Sequence, residues 1–315
     1  MKKQKEKQKI IVILGPTASG KSDLAVEIAL RHNGEVISAD SRQIYKDLDI
    51  GSGKITEEET KGVPHHLLSF VEPQNTYSVA EYQKDAEKAI QGVLDRGNLP
   101  ILCGGTGFYI QSIVDGFVPP KVEADWSLRK YLGKKPVEEL FGMLKELDPE
   151  RAENIDVKNP HRLIRAIEIA KKLGKVPNMN YKSRIINYEI LQIGIKLPDE
   201  VLKEKIAKRV KGMIDEGLLD EVKGLYASEL SWDKIEEFGF EYKYPAMFLR
   251  GEINGKEMLE RMILKNQQYA KRQMTWFKRD ERIKWLAPSN VEGIESNKIE
   301  DAEKLISEFT KKEIF

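Results

Sequence analysis

The sequence predicts an α/β fold: a P-loop core with a parallel sheet flanked by helices, interrupted by an all-helical insertion. Three observations carry this. A continuous apolar run, Ile10 to Leu14, leads into the glycine-rich "GPTASGKS" and a helical pattern from about Lys21 to Arg31, the strand, loop and helix order of a buried parallel strand. Two further apolar runs, "EVISAD" ending at Asp40 and "LPILCGGTG" around Cys103, are separated by the helical "SVAEYQKDAEKAIQGVLDRG", which calls for a right-handed crossover between parallel strands. After about Asp115 the pattern changes to helices and Pro/Lys-rich connectors up to about Ser183, before the apolar "YEILQIGIKLP" returns.

Residues 1–9, "MKKQKEKQK", are expected as a disordered basic tail, 10–115 and 186–290 as the core with its C-terminal helices, and 116–185 as the insertion. Inside the insertion, "NPHRLIRAIEIAKKLG" reads as a helix opened by Pro160 and closed by Gly174. Arg162 and Arg165 share one of its faces, Leu163, Ile167 and Ala170 another. Two long helices are expected from about Asp199 to Tyr226 and from about Lys256 to Lys278.

With 315 residues, 40% hydrophobic and 33% charged, the chain can bury one large core plus a smaller module, because single cores stop growing at about 250–300 residues. No apolar run approaches the roughly 18 residues of a membrane span, and no signal-peptide pattern opens the chain. A cytoplasmic protein without membrane partners is therefore expected. The single cysteine, Cys103, excludes an internal disulfide and reads as a small buried hydrophobe. A net charge of +1 offers no global attraction for nucleic acid, so such a partner needs a local basic patch.

The segment Gly15 to Ser22 satisfies G-x-x-x-x-G-K-[ST] between a strand and a helix. Amides from about Thr17 to Ser22 would form an anion nest at the helix N-terminus, Lys21 adds a point charge, and the Ser22 hydroxyl can reach a magnesium ion. Loops of this kind usually grip a nucleoside triphosphate such as ATP, yet amides recognise phosphate oxygens whatever those phosphates carry. Asp40, at a strand end, faces the same cleft as a metal-holding group, a general base or a simple cap for "SRQIYKDL". Lys54, Asp49 and the "DIGSGK" loop are further candidates there. Thr106 in "GGTG" either touches substrate or packs tightly. Arg209 on its helix is either solvated or functional. In "QYAKRQMTWFKRDERIKWL", Lys271, Arg272, Lys278 and Arg279 interleave with Tyr269, Trp276 and Phe277, a mixture suited to an RNA backbone and stacked bases, or to a helix packing its aromatics inward. His65 and His66 lack metal-ligand companions and are expected to be hydrogen-bonded structural groups. A P-loop kinase or NTPase and an RNA-binding module are both compatible with these residues alone.

Taken in order, "GPTASGKS", "SADSRQIYKDLDIGSGK", "PHHLL", "TYSVAEY", "CGGTGFYI", "NPHRLIRAIEI" and "QYAKRQMTWF" closely resemble the tRNA dimethylallyltransferases, or tRNA isopentenyltransferases, of bacterial type. The likeness runs from about Ile10 to Trp285. It implies transfer of a prenyl group from dimethylallyl diphosphate to the exocyclic amine of the adenosine 3′ of the anticodon in tRNA, assisted by Mg2+, without ATP consumption; transfer to a free adenine nucleotide is the nearest alternative. By matching positions, Asp40 looks like the general base and Thr106 like a contact beside the transferred group. The diphosphate would be held by Gly15, Thr17, Ala18, Ser19, Gly20, Lys21 and Ser22 with Arg209, Ser22 also reaching the magnesium. The positions of Asp40, Ser41, Arg42, Gln43, Thr106, Arg129, His161, Arg162, Leu163, Ile164 and Arg165 match tRNA contacts, to which the basic Lys271 and Arg272 are added. One tRNA anticodon stem-loop per monomer is expected. The family's glycine, tyrosine, basic residue and Gln/Glu stretch stands here as "GFEYK", Gly239 to Lys243, and "GTAKP" as "GSGKI", Gly51 to Ile55.

Overall fold

The computed structural model describes residues 8–116, 120, 122–177, 188–286 and 296–310. Six parallel strands form one sheet in the order β3-β2-β4-β1-β5-β6: β1 Gln8–Leu14, β2 Gly34–Ser38, β3 His65–His66, β4 Leu99–Gly104, β5 Tyr188–Ile195 and β6 Lys284–Leu286. The central β1 pairs with β4 through Ile11 and Ile101 and with β5 from Gln8 onward. Residues 8 and 9, expected in the tail, therefore belong to the sheet, because Gln8 and Lys9 face Tyr188 and Glu189 across that ladder. Residues 1–7 and 186–187 lie outside the described residues.

The apolar run of β1 is continuous rather than alternating because both of its faces are covered. Ile10, Val12 and Leu14 pack on α2 (Val79–Asp95) and α3 (Gly107–Val114) through Tyr82, Ile90 and Ile110. Ile11 and Ile13 pack on α1 (Lys21–His32) through Leu24 and Ile28. A Ser78–Glu81 capping box starts α2, satisfying two orphan amides at once.

Two compact units result, 1–116 with 185–315 and 117–184. The smaller unit is helical: α4 Trp126–Leu132, α5 Val137–Leu147, α6 Pro149–Glu153 and α7 Pro160–Leu173. Pro160 follows an Asn159 cap on α7, and Gly174 ends it. Leu163, Ile167 and Ala170 point into this unit's own core with Leu132, Leu140 and Leu144.

After β5 the larger unit adds α8 Asp199–Asp215, α9 Leu218–Ala227, α10 Trp232–Glu237, α11 Phe240–Leu249 and α12 Gly255–Phe277. The single helix expected from about 199 to 226 is two helices, parted at Gly217 with φ of 104°. Ile206, Val210, Val222 and Met262 bury a separate apolar cluster that also takes in Ile44 and Leu48 from the segment after β2. Beyond the expected boundary at 290, α13 Ser296–Thr310 places Ala302 and Ile306 in the α1 face of the sheet core. The short β3 and β6 lie at the sheet's two edges, too brief to show period-2 patterning.

Candidate active site

The phosphate loop leaves β1 at Leu14 and enters α1 at Lys21. Ala18 (φ 60°) and Gly20 (φ 79°) both adopt the left-handed region, and no side chain caps the amides that open α1, so those donors are available to an anion. Two details differ from the expected nest. The Thr17 amide is already used, donating to Gln273 Oε1 at 2.9 Å, so the anion-facing amides begin after it. Ser19 is fully buried, with no partner for its hydroxyl; its side chain packs inside the loop, where a Cβ on Gly15 would lie 2.9 Å from Ser19 Oγ. Only its backbone remains for a ligand.

Three further elements close on this loop. Arg209 of α8 donates from Nη1 to Thr17 Oγ1 at 3.1 Å and from Nη2 to the Ser52 carbonyl at 3.4 Å, so it joins the phosphate loop to the "DIGSGK" loop and is not a solvated cation. Gln273 of α12, which sequence reasoning passed over, also donates to the Gly105 carbonyl at 2.9 Å. At the strand ends, Ala39 donates to the Cys103 carbonyl at 2.7 Å and Thr106 to the Ala39 carbonyl at 3.1 Å. This approach requires glycine at 104, where a Cβ would stand 2.2 Å from the Ala39 oxygen. The Ser41 amide donates to Thr106 Oγ1 at 3.0 Å, and the Arg42 amide to Asp40 Oδ1 at 2.9 Å. Asp40 thus caps a tight turn, not a helix, and its carboxylate retains capacity for a substrate proton.

Charges in this cleft influence one another. Burial pushes the Lys21 ammonium below its ordinary value, with Cys103 and Asp40 raising it and Arg209 lowering it further. An anion arriving beside Lys21 and Arg209 would relieve that cost. Burial raises the Cys103 thiol to about 12, and the thiol donates to the Lys21 carbonyl at 3.6 Å, an inert packing group as expected. Burial likewise raises the phenol of Tyr269 on α12, with Asp40 the next cause. Lys54, in turn, is tied to Asp49, the Tyr45 carbonyl and Ser69, so it braces its loop.

The histidines are structural. His65 Nδ1 contacts the Val63 carbonyl at 2.8 Å, and His66 Nε2 contacts Glu35 at 2.6 Å. Of the basic and aromatic residues on α12, Phe277 is buried and Trp276 packs against the sheet core, while Lys271 and Arg272 are exposed.

The remaining RNA candidates belong to the helical unit. Arg129 holds Glu168 with Nε at 2.9 Å and Nη2 at 2.8 Å, while Arg165 pairs with the same carboxylate and donates to the Val122 carbonyl. Both arginines therefore have a structural partner. Burial would raise Glu168, but the hydrogen bonds from Arg129 and Arg165 outweigh it and hold the carboxyl below its ordinary value. Leu163 and Ile164 are corrected: at 0% and 9% exposure they belong to this unit's core, so their side chains leave the RNA-facing set. His161 and Arg162 are exposed at the start of α7.

The family model described as IPP transferase matches residues 43–280. This chain belongs to the IPP transferase family. The match begins after Asp40 and the Gly15–Ser22 loop. The tRNA dimethylallyltransferase of Acetivibrio thermocellus is 43% identical over 286 residues, 88% of this chain and 91% of that one; that of Anoxybacillus flavithermus is 40% identical over 282 residues, 89% and 90%. Among solved structures, the tRNA isopentenylpyrophosphate transferase of Bacillus halodurans superposes with a TM-score of 0.72 at 36% identity, covering 96% of each chain. A eukaryotic dimethylallyltransferase acting on tRNA superposes with a TM-score of 0.83 at 27% identity, covering 98% of this chain and 81% of that one.

Proposed function

We propose that this member of the family transfers the dimethylallyl group of dimethylallyl diphosphate to the exocyclic amine of the adenosine 3′-adjacent to the anticodon in tRNA. The observation that carries the reading is the convergence of Asp40 and Thr106, at the ends of β2 and β4, on a phosphate loop gripped by Arg209. An acid–base group and a polyanion site within one cleft suit displacement of a diphosphate by an amine.

The carbon–oxygen bond between the allylic C1 and the diphosphate breaks, its electron pair leaving on the diphosphate. Loop amides, Lys21 and Arg209 hold that growing charge. The adenine nitrogen forms the new bond to C1 and gives its proton to Asp40, for which the Thr106–Ser41 contact sets the position. The adenosine must leave its stack to reach this cleft, and Arg42, Gln43, Lys271, Arg272, His161 and Arg162 are the polar groups suited to the RNA. Among the described residues no group of three or more His, Cys, Asp or Glu could hold a metal, and a lone Ser22 hydroxyl suits Mg2+ carried chiefly by diphosphate oxygens and water. That ion would neutralise charge on the leaving group. No described helix is long and apolar enough to cross a membrane, and a tRNA substrate suits a cytoplasmic monomer.

Incubation with unmodified tRNA and dimethylallyl diphosphate labelled in its prenyl carbons tests the reading. Label retained on the tRNA is expected; label absent from RNA, with phosphate released from ATP instead, would overturn it in favour of a kinase or NTPase.

A further inference from the structure

We propose that Lys298 is a positioning residue of the diphosphate site: its ammonium, reaching in from α13, holds the Ser19 carbonyl on the outer side of the loop and so turns the Gly20 amide toward the anion. The proposal rests on the reading of Gly15–Ser22 as the diphosphate site and extends it to a residue beyond the 43–280 that the family model matches.

Lys298 lies in the first turn of α13, only 8% exposed, and its Nζ donates to the Ser19 carbonyl at 3.4 Å. The same atom lies 4.0 Å from where a Cβ on Gly20 would stand, and Asp23 Oδ2 lies 3.6 Å from that point. The buried ammonium and an exposed carboxylate thus meet at the turn into α1. Along the rest of its length α13 is fixed to α1, since Ala302 and Ile306 share an apolar cluster with Leu24 and Ile28. Glu303 adds contacts to His32 Nε2 at 2.9 Å and Arg31 Nε at 3.9 Å. The lysine therefore stands on a packed helix.

The Ser19–Gly20 peptide is trans, and a trans peptide is planar, so its carbonyl and its amide hydrogen point in opposite directions. With the Ser19 oxygen held by Lys298, the Gly20 hydrogen faces away from α13, into the concave side where a loop of this kind takes an anion. Gly20 has φ of 79°, and glycine accepts more than one backbone setting at little cost. Without a partner for the Ser19 oxygen, this peptide is the one most free to rotate and aim a carbonyl at the diphosphate. The dipole of α1 disfavours a buried cation at its N-terminus. A bound diphosphate offsets that cost, which ties the lysine to the ligand as well as to the loop.

Steady-state kinetics of wild type, Lys298→Met and Lys298→Arg test this, with dimethylallyl diphosphate varied at saturating tRNA and tRNA varied at saturating diphosphate. Methionine keeps the length of the stem and drops both the charge and the donor. The Gly20 amide meets the diphosphate before and during the reaction, so the methionine variant should raise KM for dimethylallyl diphosphate about tenfold, the worth of one hydrogen bond to a charged group. Its kcat and its KM for tRNA should stay within about twofold of wild type, the mark of lost uniform binding. Lys298→Arg, which keeps a charged donor, should recover most of the loss. An unchanged KM for the diphosphate, an equal rise in KM for both substrates, or an arginine variant no better than the methionine one would each leave Lys298 as an anchor of α13 alone and overturn the inference. Should methionine cost the fold, as urea unfolding would show, Lys298→Ala takes its place under the same criteria. Wild type that transfers no prenyl group to tRNA would instead bring down the diphosphate reading on which the inference stands.

Discussion

The hydroxyl of Thr106 accepts the backbone amide of Ser41 at 3.0 Å, which locks the glycine turn after β4 to the turn that aims Asp40. The side chain is part of the scaffold of the site, whatever else it touches. Thr106→Ala should lower kcat for prenyl transfer by about 10-fold or more through misplacement of the base, while Thr106→Ser restores most of it. Steady-state kinetics with saturating tRNA distinguish the two, and equal loss in both variants would assign the effect to the threonine methyl.

Asp40→Asn keeps the acceptor for the Arg42 amide and removes the proton acceptor. Transfer should slow by about 10²–10⁴-fold, the usual worth of a positioned general base. Binding of tRNA, followed by filter retention, should be little changed. Turnover near the wild-type rate would remove Asp40 from the base role.

Arg209 and Gly53 are predicted to fail together. Gly53 has φ of 56°, and a Cβ there would stand 1.7 Å from Arg209 Nη2, so Gly53→Ala expels the guanidinium. Both Arg209→Ala and Gly53→Ala should reduce kcat/KM for the diphosphate substrate by about 10²–10³-fold, comparable to loss of one charge-stabilising donor. The double variant should be no worse than either, since both remove one interaction. Arg209→Lys should recover only part of the loss, because an ammonium cannot reproduce the guanidinium fork.

Gln273 spans Thr17 and Gly105 from a buried position on α12. Gln273→Ala leaves the part-buried Thr17 amide and the buried Gly105 carbonyl without their partner, a cost of about 1–3 kcal/mol for the buried carbonyl and less for the amide. Denaturant unfolding should register the loss, and KM for the diphosphate substrate should rise as the loop loosens. An unchanged midpoint and KM would show the bridge to be dispensable.

In the helical unit, Glu168 with Arg129 and Arg165 is predicted to contribute to stability. Glu168→Ala should cost about 3 kcal/mol, the lower end for breaking a buried pair, because both guanidiniums keep some contact with water. The Glu168 carboxyl is depressed, so its contribution is present above the ordinary value of 4.5 and is lost as pH falls below it. The difference in stability between wild type and variant should therefore narrow on acidification.

The chemistry of the core was legible because it is local. The run Ile10 to Leu14, the glycine loop and the α1 start need only neighbours in the chain to declare a strand, a nest and a helix. Pro160 and Gly174 marked the ends of α7 for the same reason. Gln273 was missed because a glutamine in an amphipathic helix carries no signal until its distant partners, Thr17 and Gly105, are known. The inward turn of Leu163 and Ile164 was half visible: the periodicity that buried Leu163 also argued against its contact with RNA.

The sequence by itself determined the four inner strands of the sheet, the glycine loop between β1 and α1 and the family, since these rest on short-range backbone preferences and on motifs in a fixed order. Tertiary structure alone decided which partners Arg209 and Gln273 take. Those contacts arise from approach between segments more than one hundred residues apart, and from the burial that such approach brings. A buried donor or acceptor must then find its partner in a distant segment, which no local pattern encodes.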